Sequence, residues 1–581
     1  MKRLILILAL AVQSTLLAAQ KTAGPIPSKD QIRLQDMEMY AFLHYSLNTY
    51  TGQEWGFGNE DPSLFNPSSL DARQWVRTCK AAGMKGIIFT AKHHCGFCMW
   101  PSAFTEYSVK NSPWKGGKGD VVRELADACR EYGLRFAVYL SPWDRNHPEY
   151  GREAYVTYFR NQLRELLTRY GDIFEVWFDG ANGGNGWYGG ANETRQIDRL
   201  TYYQWDGTYE LIRQLQPHCL IWNDGDNRRG DLRWVGTEAG NIGQRNWSLM
   251  SSTKAPEWAD LHYGVEDGDV WCPGETNTSI RPGWFYHASE DGHVKSLPKL
   301  MDTYYKSVGR NSTLLLNFPI MPNGRISPID SLRGTQFANM VHQIFDHDLA
   351  KGIRIKKEKD NTFILNFSRP TTFNRFMASE DIRRGQRVKK FTLEAWTDGR
   401  WASLRDELAD EGDGLETIGR KRIICFPQVT ATRLRMTVTE TKAAPLITRM
   451  AVFHAPELTP DASHPGQKHS SLLNIAMVGS NDIPSRSIMI DLERTRKVKG
   501  FRYLPPQAQG ASGIITRYAL WAMVDGNWQR LSAGEFSNIV NNPIWQSVSI
   551  TPVSTTLLRI DAIDLNSGQG AAYEDLEVLY E

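Results

Sequence analysis

The chain has 581 residues, with little cysteine, almost no excess charge of either sign and no long apolar run in its body. Past the N-terminus no stretch reaches the roughly 18 uninterrupted apolar residues of a membrane helix, so no membrane insertion is expected. Seven cysteines, an odd number spread thinly, cannot make a disulfide scaffold. They read as core thiols, or at most one local pair. Lys+Arg 67 against Asp+Glu 65 leaves a formal charge of +2, too balanced for a protein that holds nucleic acid by neutralising phosphates. Metal chelation is poorly served as well. Cys95 and Cys98 form a C-x-x-C with no second pair, and the adjacent His93 and His94 are badly spaced to grip one ion together. No metal and no cofactor are therefore expected, and short-period repeats and low-complexity tracts are missing too.

What is present is the composition of a folded globular protein, 41% hydrophobic and 23% charged. Lys2 and Arg3, an apolar run from Leu4 to Val12, and the small residues Ala18 and Ala19 read as a secretory signal over 1–19. That predicts a secreted or periplasmic protein. From Met39 to about Phe345, β-rich runs alternate with amphipathic helical stretches, the pattern of parallel strands covered by helices. Eight runs are expected: Tyr40 to Leu47, Gly86 to Lys92, Arg135 to Trp143, Ile173 to Asp179, Leu220 to Asn223, Val235 to Glu238, Gly283 to His287, and Thr313 to Phe318. Eight such units define an α/β fold with a (β/α)8 barrel over 20–348. Short alternating strands with turn signals follow, predicting two C-terminal β-sandwich modules over 349–460 and 461–581. A Pro-, Ser- and His-rich stretch from Pro456 to Lys468 reads as the linker between them.

A barrel of this kind keeps its chemistry at the C-terminal ends of its strands. The fourth run ends Glu175-Val176-Trp177-Phe178-Asp179-Gly180, and period-2 alternation puts Asp179 at the tip on the face of Glu175 and Trp177. The sixth ends Trp234-Val235-Gly236-Thr237-Glu238, offering a second carboxylate. Asp179 alone can equally close a turn, and Glu238 alone can equally be a surface residue. Together, on one mouth lined with Trp and His, they suit glycosidic cleavage, in which one carboxyl protonates the leaving oxygen and the other meets the oxocarbenium-like carbon. His44, Glu54 and Trp55 follow the first strand, His93 and His94 the second, and Tyr139 the third. Neutral imidazoles can hold sugar hydroxyls, and Trp177 and Trp284 can pack on the apolar side of a ring. Two rivals remain: a secreted carbohydrate-binding protein with a non-catalytic barrel, and a metal-dependent hydrolase, which the histidine spacing disfavours.

Four stretches stand in order along the chain: Lys92-His93-His94-Cys95-Gly96-Phe97-Cys98-Met99-Trp100-Pro101-Ser102; Trp177-Phe178-Asp179-Gly180; Arg233-Trp234-Val235-Gly236-Thr237-Glu238-Ala239-Gly240; and Ser279-Ile280-Arg281-Pro282-Gly283-Trp284-Phe285-Tyr286-His287. Together they resemble the α-L-fucosidases of glycoside hydrolase family 29, over roughly Gln31 to His347. The resemblance implies a retaining mechanism on a fucosylated oligosaccharide, with Asp179 as nucleophile. It also implies that His44, Glu54, Trp55, His93, His94, Tyr139, Trp177 and Trp284 hold the fucose ring. The second half is similar to the subfamily acting on α-1,3 and α-1,4 linkages of Lewis-type glycans, whose acid/base matches Glu238. Cys95 and Thr237 depart from the family pattern, where Asp and Asn are common, and Glu275, expected in the loop before the seventh strand, is the reserve acid. The run Tyr518-Ala519-Leu520-Trp521-Ala522-Met523-Val524-Asp525-Gly526-Asn527-Trp528 is similar to discoidin-type modules, which makes 461–581 a discoidin-like sandwich. Oligomeric state is left open.

Overall fold

The computed structural model describes residues 22–223, 230–409, 414–458, 474–478, 486–508, 510–536 and 538–581. The signal over 1–19, and the part of the Pro456 to Lys468 linker beyond residue 458, lie outside these. No helix among the described residues is long and apolar enough to cross a membrane.

Eight strands form one sheet: β1 Met39–Leu43, β2 Gly86–Lys92, β3 Arg135–Leu140, β4 Glu175–Phe178, β5 Leu220–Asn223, β6 Arg233–Trp234, β7 Gly274–Ser279 and β8 Thr313–Asn317. Their order is β5-β4-β3-β2-β1-β8-β7-β6 and every pairing is parallel. A parallel bridge from Trp222 to Leu232 brings β5 beside the start of β6, so the barrel is nearly closed. Alternation along the strands divides two cores. Tyr40, Phe42, Tyr139, Trp177, Leu220, Trp222 and Leu315 point inward and pack together. Their neighbours Ala41, Leu43, Val138, Leu140, Val176, Phe178, Ile221, Leu314 and Leu316 point outward into the layer beneath the helices. Helices follow strands along the barrel, among them α1 Ala72–Ala81, α2 Val121–Tyr132, α3 Glu153–Arg169 and α4 Trp205–Leu215. Asp71 and Asp120 accept from backbone N–H groups of the first turns of α1 and α2, and Gly133 ends α2 in the left-handed conformation.

Three expectations about the later strands need correction. Gly283 to His287 is not a strand: the seventh strand is Gly274–Ser279, whose polar sequence Gly-Glu-Thr-Asn-Thr-Ser carries no hydrophobic alternation although all six residues are buried. Its hydroxyls are satisfied internally instead, as where Thr276 meets Ser312 at 2.8 Å. The sixth strand ends at Trp234, because Gly236 turns the chain at φ 78°, and Glu238 stands in the loop beyond. Glu275 is therefore no loop residue. It is fully buried below the mouth, where Tyr40 Oη and, at 2.9 Å, Trp177 Nε1 donate to its carboxylate.

Beyond the barrel, two antiparallel sheets each enclose an apolar cluster of their own. The first is built on the long strands β9 Thr362–Glu380, β10 Val388–Thr397, β11 Arg422–Thr441 and β12 Ile447–Phe453, and the second on β13 Ser487–Leu504, β14 Ile515–Val524, β15 Asn527–Glu535, β16 Gln546–Leu565 and β17 Asp575–Tyr580. Register shifts within β9, β11, β13 and β16 mark bulges that bend these strands. All seven cysteines are buried and free, so they are core thiols.

Candidate active site

The C-terminal ends of the strands surround a cavity of about 520 Å³. All ten residues singled out in the sequence line it: His44, Glu54, Trp55, His93, His94, Tyr139, Trp177, Asp179, Glu238 and Trp284. Glu275 does not. Residues the sequence did not indicate also line it, among them Asn277 from β7 and Glu535, Phe536 and Asn538 from the C-terminal sheet. No local motif points to the last three, because the spatial neighbours are some 300 positions apart in the chain.

Asp179 stands at the tip of β4. Its Oδ2 accepts from Tyr139 Oη at 2.9 Å and its Oδ1 from the Ala181 backbone N–H at 2.8 Å. Burial and the Asp179 charge both push the Tyr139 phenol up, so it remains a donor. His94 Nε2 lies 3.7 Å from Asp179 Oδ2. Burial, then the nearby Arg145, hold His94 well below its usual value, so its ring is neutral. Ser141 Oγ gives its proton to the Trp143 carbonyl and meets His94 Nδ1 at 2.7 Å, which makes Nδ1 the N–H and leaves Nε2 an acceptor. His44 is fixed in the same way. Asn317 donates through Nδ2 to Ser279 Oγ and the Trp284 carbonyl, so its Oδ1 accepts from His44 Nδ1 at 2.8 Å. Burial lowers His44 to about 4. Two neutral imidazoles at the cavity thus each keep one ring nitrogen as an acceptor. His93, also held neutral by burial and by His94, stacks on Tyr139 with ring planes 9° apart.

Across the cavity, Glu238 Oε2 accepts from Trp284 Nε1 at 3.1 Å and from Asn538 Nδ2 at 2.7 Å. Burial, with a smaller contribution from the Asp179 charge, raises Glu238 to about 8. Trp284 is clamped at several points. Glu54 accepts from the Trp284 and Phe285 backbone N–H groups at 2.9 and 3.3 Å and pairs with His287 Nε2 at 2.8 Å. Trp177 is flanked by Trp222, with ring centroids 3.7 Å apart, and by Tyr139 at 5.2 Å, so it offers the cavity an edge and not an open face. Cys95 donates to Asn48 Oδ1 at 3.3 Å and does not contact either histidine through its thiol hydrogen bond.

Two carboxyls, one of them raised by burial, lining one aromatic cavity at the mouth of a (β/α)8 barrel are the arrangement that suits a glycoside hydrolase. The α-L-fucosidase family model matches residues 27–343, and the F5/8 type C domain model matches 467–574. Alpha-L-fucosidase 1 of Arabidopsis thaliana is 38% identical over 469 residues, covering 74% of this chain and 87% of that protein. A crystal structure of a glycoside hydrolase 29 family member from an unknown rumen bacterium is 65% identical, covers 97% of this chain and all of that one, and superposes with a TM-score of 0.75. The Ruminococcus gnavus GH29 fucosidase E1_10125, solved in complex with fucose, is 29% identical with a TM-score of 0.66 and covers 76% of this chain and 97% of that one. The chain belongs to the glycoside hydrolase family 29 α-L-fucosidases, and it is an α-L-fucosidase.

Proposed function

We propose that the protein is a retaining exo-α-L-fucosidase that removes terminal α-1,3- and α-1,4-linked fucose from Lewis-type oligosaccharides or glycoprotein glycans, acting outside the cytoplasm. The observation that carries the mechanism is the contrast between two carboxyls on one cavity. Glu238 is held at about 8 and is protonated at neutral pH, whereas Asp179 accepts two hydrogen bonds of the kind that favour a carboxylate. In the first step Asp179 attacks the anomeric carbon while Glu238 gives its proton to the departing glycosidic oxygen, leaving a fucosyl ester on Asp179 and a Glu238 carboxylate. In the second, Glu238 takes a proton from water, the water oxygen bonds to the same carbon, and Asp179 leaves as the carboxylate. His44 and His94 orient the sugar through their acceptor nitrogens, with His93, Glu54, Trp55, Tyr139, Trp177 and Trp284 forming the rest of the ring site. The linkage preference is supported by the Arg233-to-Gly240 motif that ends in Glu238, and export by the basic and apolar N-terminus. The apolar clusters confined to residues 350–452 and 488–578 support the division of the chain at about 348 and 460, with Met377, Ile423, Ala451 and Phe453 of the first sheet packing into the barrel's own cluster.

The linkage is tested by measuring fucose release from a Lewis-type trisaccharide, an α-1,2-fucosylated lactose and an aryl fucoside. Release chiefly from the Lewis substrate is expected. Comparable cleavage of the α-1,2 substrate would overturn the linkage preference.

A further inference from the structure

The second C-terminal sheet meets the barrel at its catalytic mouth. The end of β15 and the residues that follow it touch the loops beyond three different barrel strands. Glu535 Oε1 accepts from Arg145 Nη1 at 2.8 Å beyond β3, Asn538 Nδ2 donates to Glu238 Oε2 at 2.7 Å beyond β6, and Asn542 Nδ2 donates to the Pro282 carbonyl at 3.1 Å beyond β7. Each end of this bridge is held. Arg145 is fully buried and also donates to the Gly56 carbonyl and to both oxygens of Asn185. Phe536 is sunk in the sheet's own core, stacked on Tyr518 with centroids 4.6 Å apart. Asn538 adopts φ 59°, a left-handed conformation that Asn tolerates better than most residues, and its carbonyl accepts from the Asn542 N–H at 2.8 Å.

The contact with Glu238 has a chemical consequence. A carboxyl oxygen has two lone pairs in its plane. Those of Glu238 Oε2 both receive N–H donors, from Trp284 and Asn538. The transferable proton is then confined to Oε1. We propose that Asn538 is a positioning residue for the acid: with Trp284 it occupies Oε2, directs the proton to Oε1 and makes the C-terminal module a part of the catalytic mouth. This rests on Glu238 being the acid. The charged side chains that share the cavity with Glu238 are Asp179 on β4's tip, Glu54 after β1, Arg199 before α4, and Arg517 and Glu535 from the module. Asn538 donates to the ionised carboxylate, so it opposes the burial that raises Glu238.

The test uses the full chain and compares wild type, Asn538→Ala, the isosteric Asn538→Asp and Glu238→Ala. The rate kcat/KM is measured against pH on a Lewis-type trisaccharide, with an activated aryl fucoside as the substrate that needs little acid help. Asn538→Ala should lose about 10- to 100-fold on the trisaccharide, a part of the 10²–10⁴ that a general acid supplies, and far less on the aryl fucoside. Its alkaline limb should move up by about one pH unit, and that of Asn538→Asp further, because a neighbouring carboxylate disfavours ionised Glu238. Unmoved limbs with equal losses on both substrates, in both Asn538 variants, overturn the proposal while leaving Glu238 in place. If Glu238→Ala itself shows no dependence on the leaving group, the acid assignment fails and the role of Asn538 fails with it.

Discussion

At the scale of single residues, the site works through protonation states set by burial and fixed by neighbours. Glu238 at about 8 is the acid form across neutral pH, and burial is the larger cause, ahead of the charge on Asp179. For substrates with a poor leaving group, kcat/KM should therefore hold up to about pH 8 and fall above it as Glu238 ionises. A limb near the ordinary carboxylate value of about 4.5 would contradict this. The two imidazoles illustrate how much of such detail a sequence carries. Their placement at strand tips was legible from His44 and His94 themselves. Their tautomers depend on Ser141 and Asn317, residues of no distinctive type, and on which way those side chains spend their own hydrogen bonds.

At the scale of elements, the loop of residues 283–287 is the piece whose packing most directly serves the site, since it carries Trp284 and is clamped by Glu54. Burial works against a charged His287, but its hydrogen bond to Glu54, with the charges of Glu54 and Glu290, outweighs this and raises its pKa above the usual value. A histidine raised in the folded state stabilises the fold fully below its unfolded pKa of about 6.5, and that contribution is lost as pH rises through the folded value. Glu290, lifted by burial to about 7, adds a loss in the same direction from about pH 4.5 upward. These two groups should accordingly lower the melting temperature as pH rises from about 4.5, the His287 part entering above about 6.5, and His287→Gln should flatten that upper part of the curve. An unchanged slope in the variant would show that the clamp is not the source. The Trp-Phe-Tyr of this loop has strand propensity without forming a strand, while the actual strand Gly274–Ser279 is polar throughout and stabilised by side-chain hydrogen bonds that periodicity does not record.

At the scale of the whole molecule, the parallel barrel and the antiparallel C-terminal sheets were readable from the alternation up to Phe345 and the change in texture beyond it, because alternation and helical spacing are local properties of the chain, although the sixth and seventh strands lie at Arg233–Trp234 and Gly274–Ser279 and not where the alternation put them. How the last sheet meets the barrel was not. Arg145 and Glu535, or Glu238 and Asn538, come together only through the packing of complete units, and neither pair has a spacing that signals it. In the proposed mechanism this assembly aims Asp179 at the anomeric carbon while Glu238 protonates the leaving oxygen. Its most direct test is to trap the enzyme with a 2-deoxy-2-fluoro-fucosyl fluoride, digest it and locate the label by mass spectrometry. One fluorofucosyl group on the peptide bearing Asp179, formed as activity is lost, is the predicted result. A label on Glu238, or turnover that continues with no covalent species at all, would contradict the account.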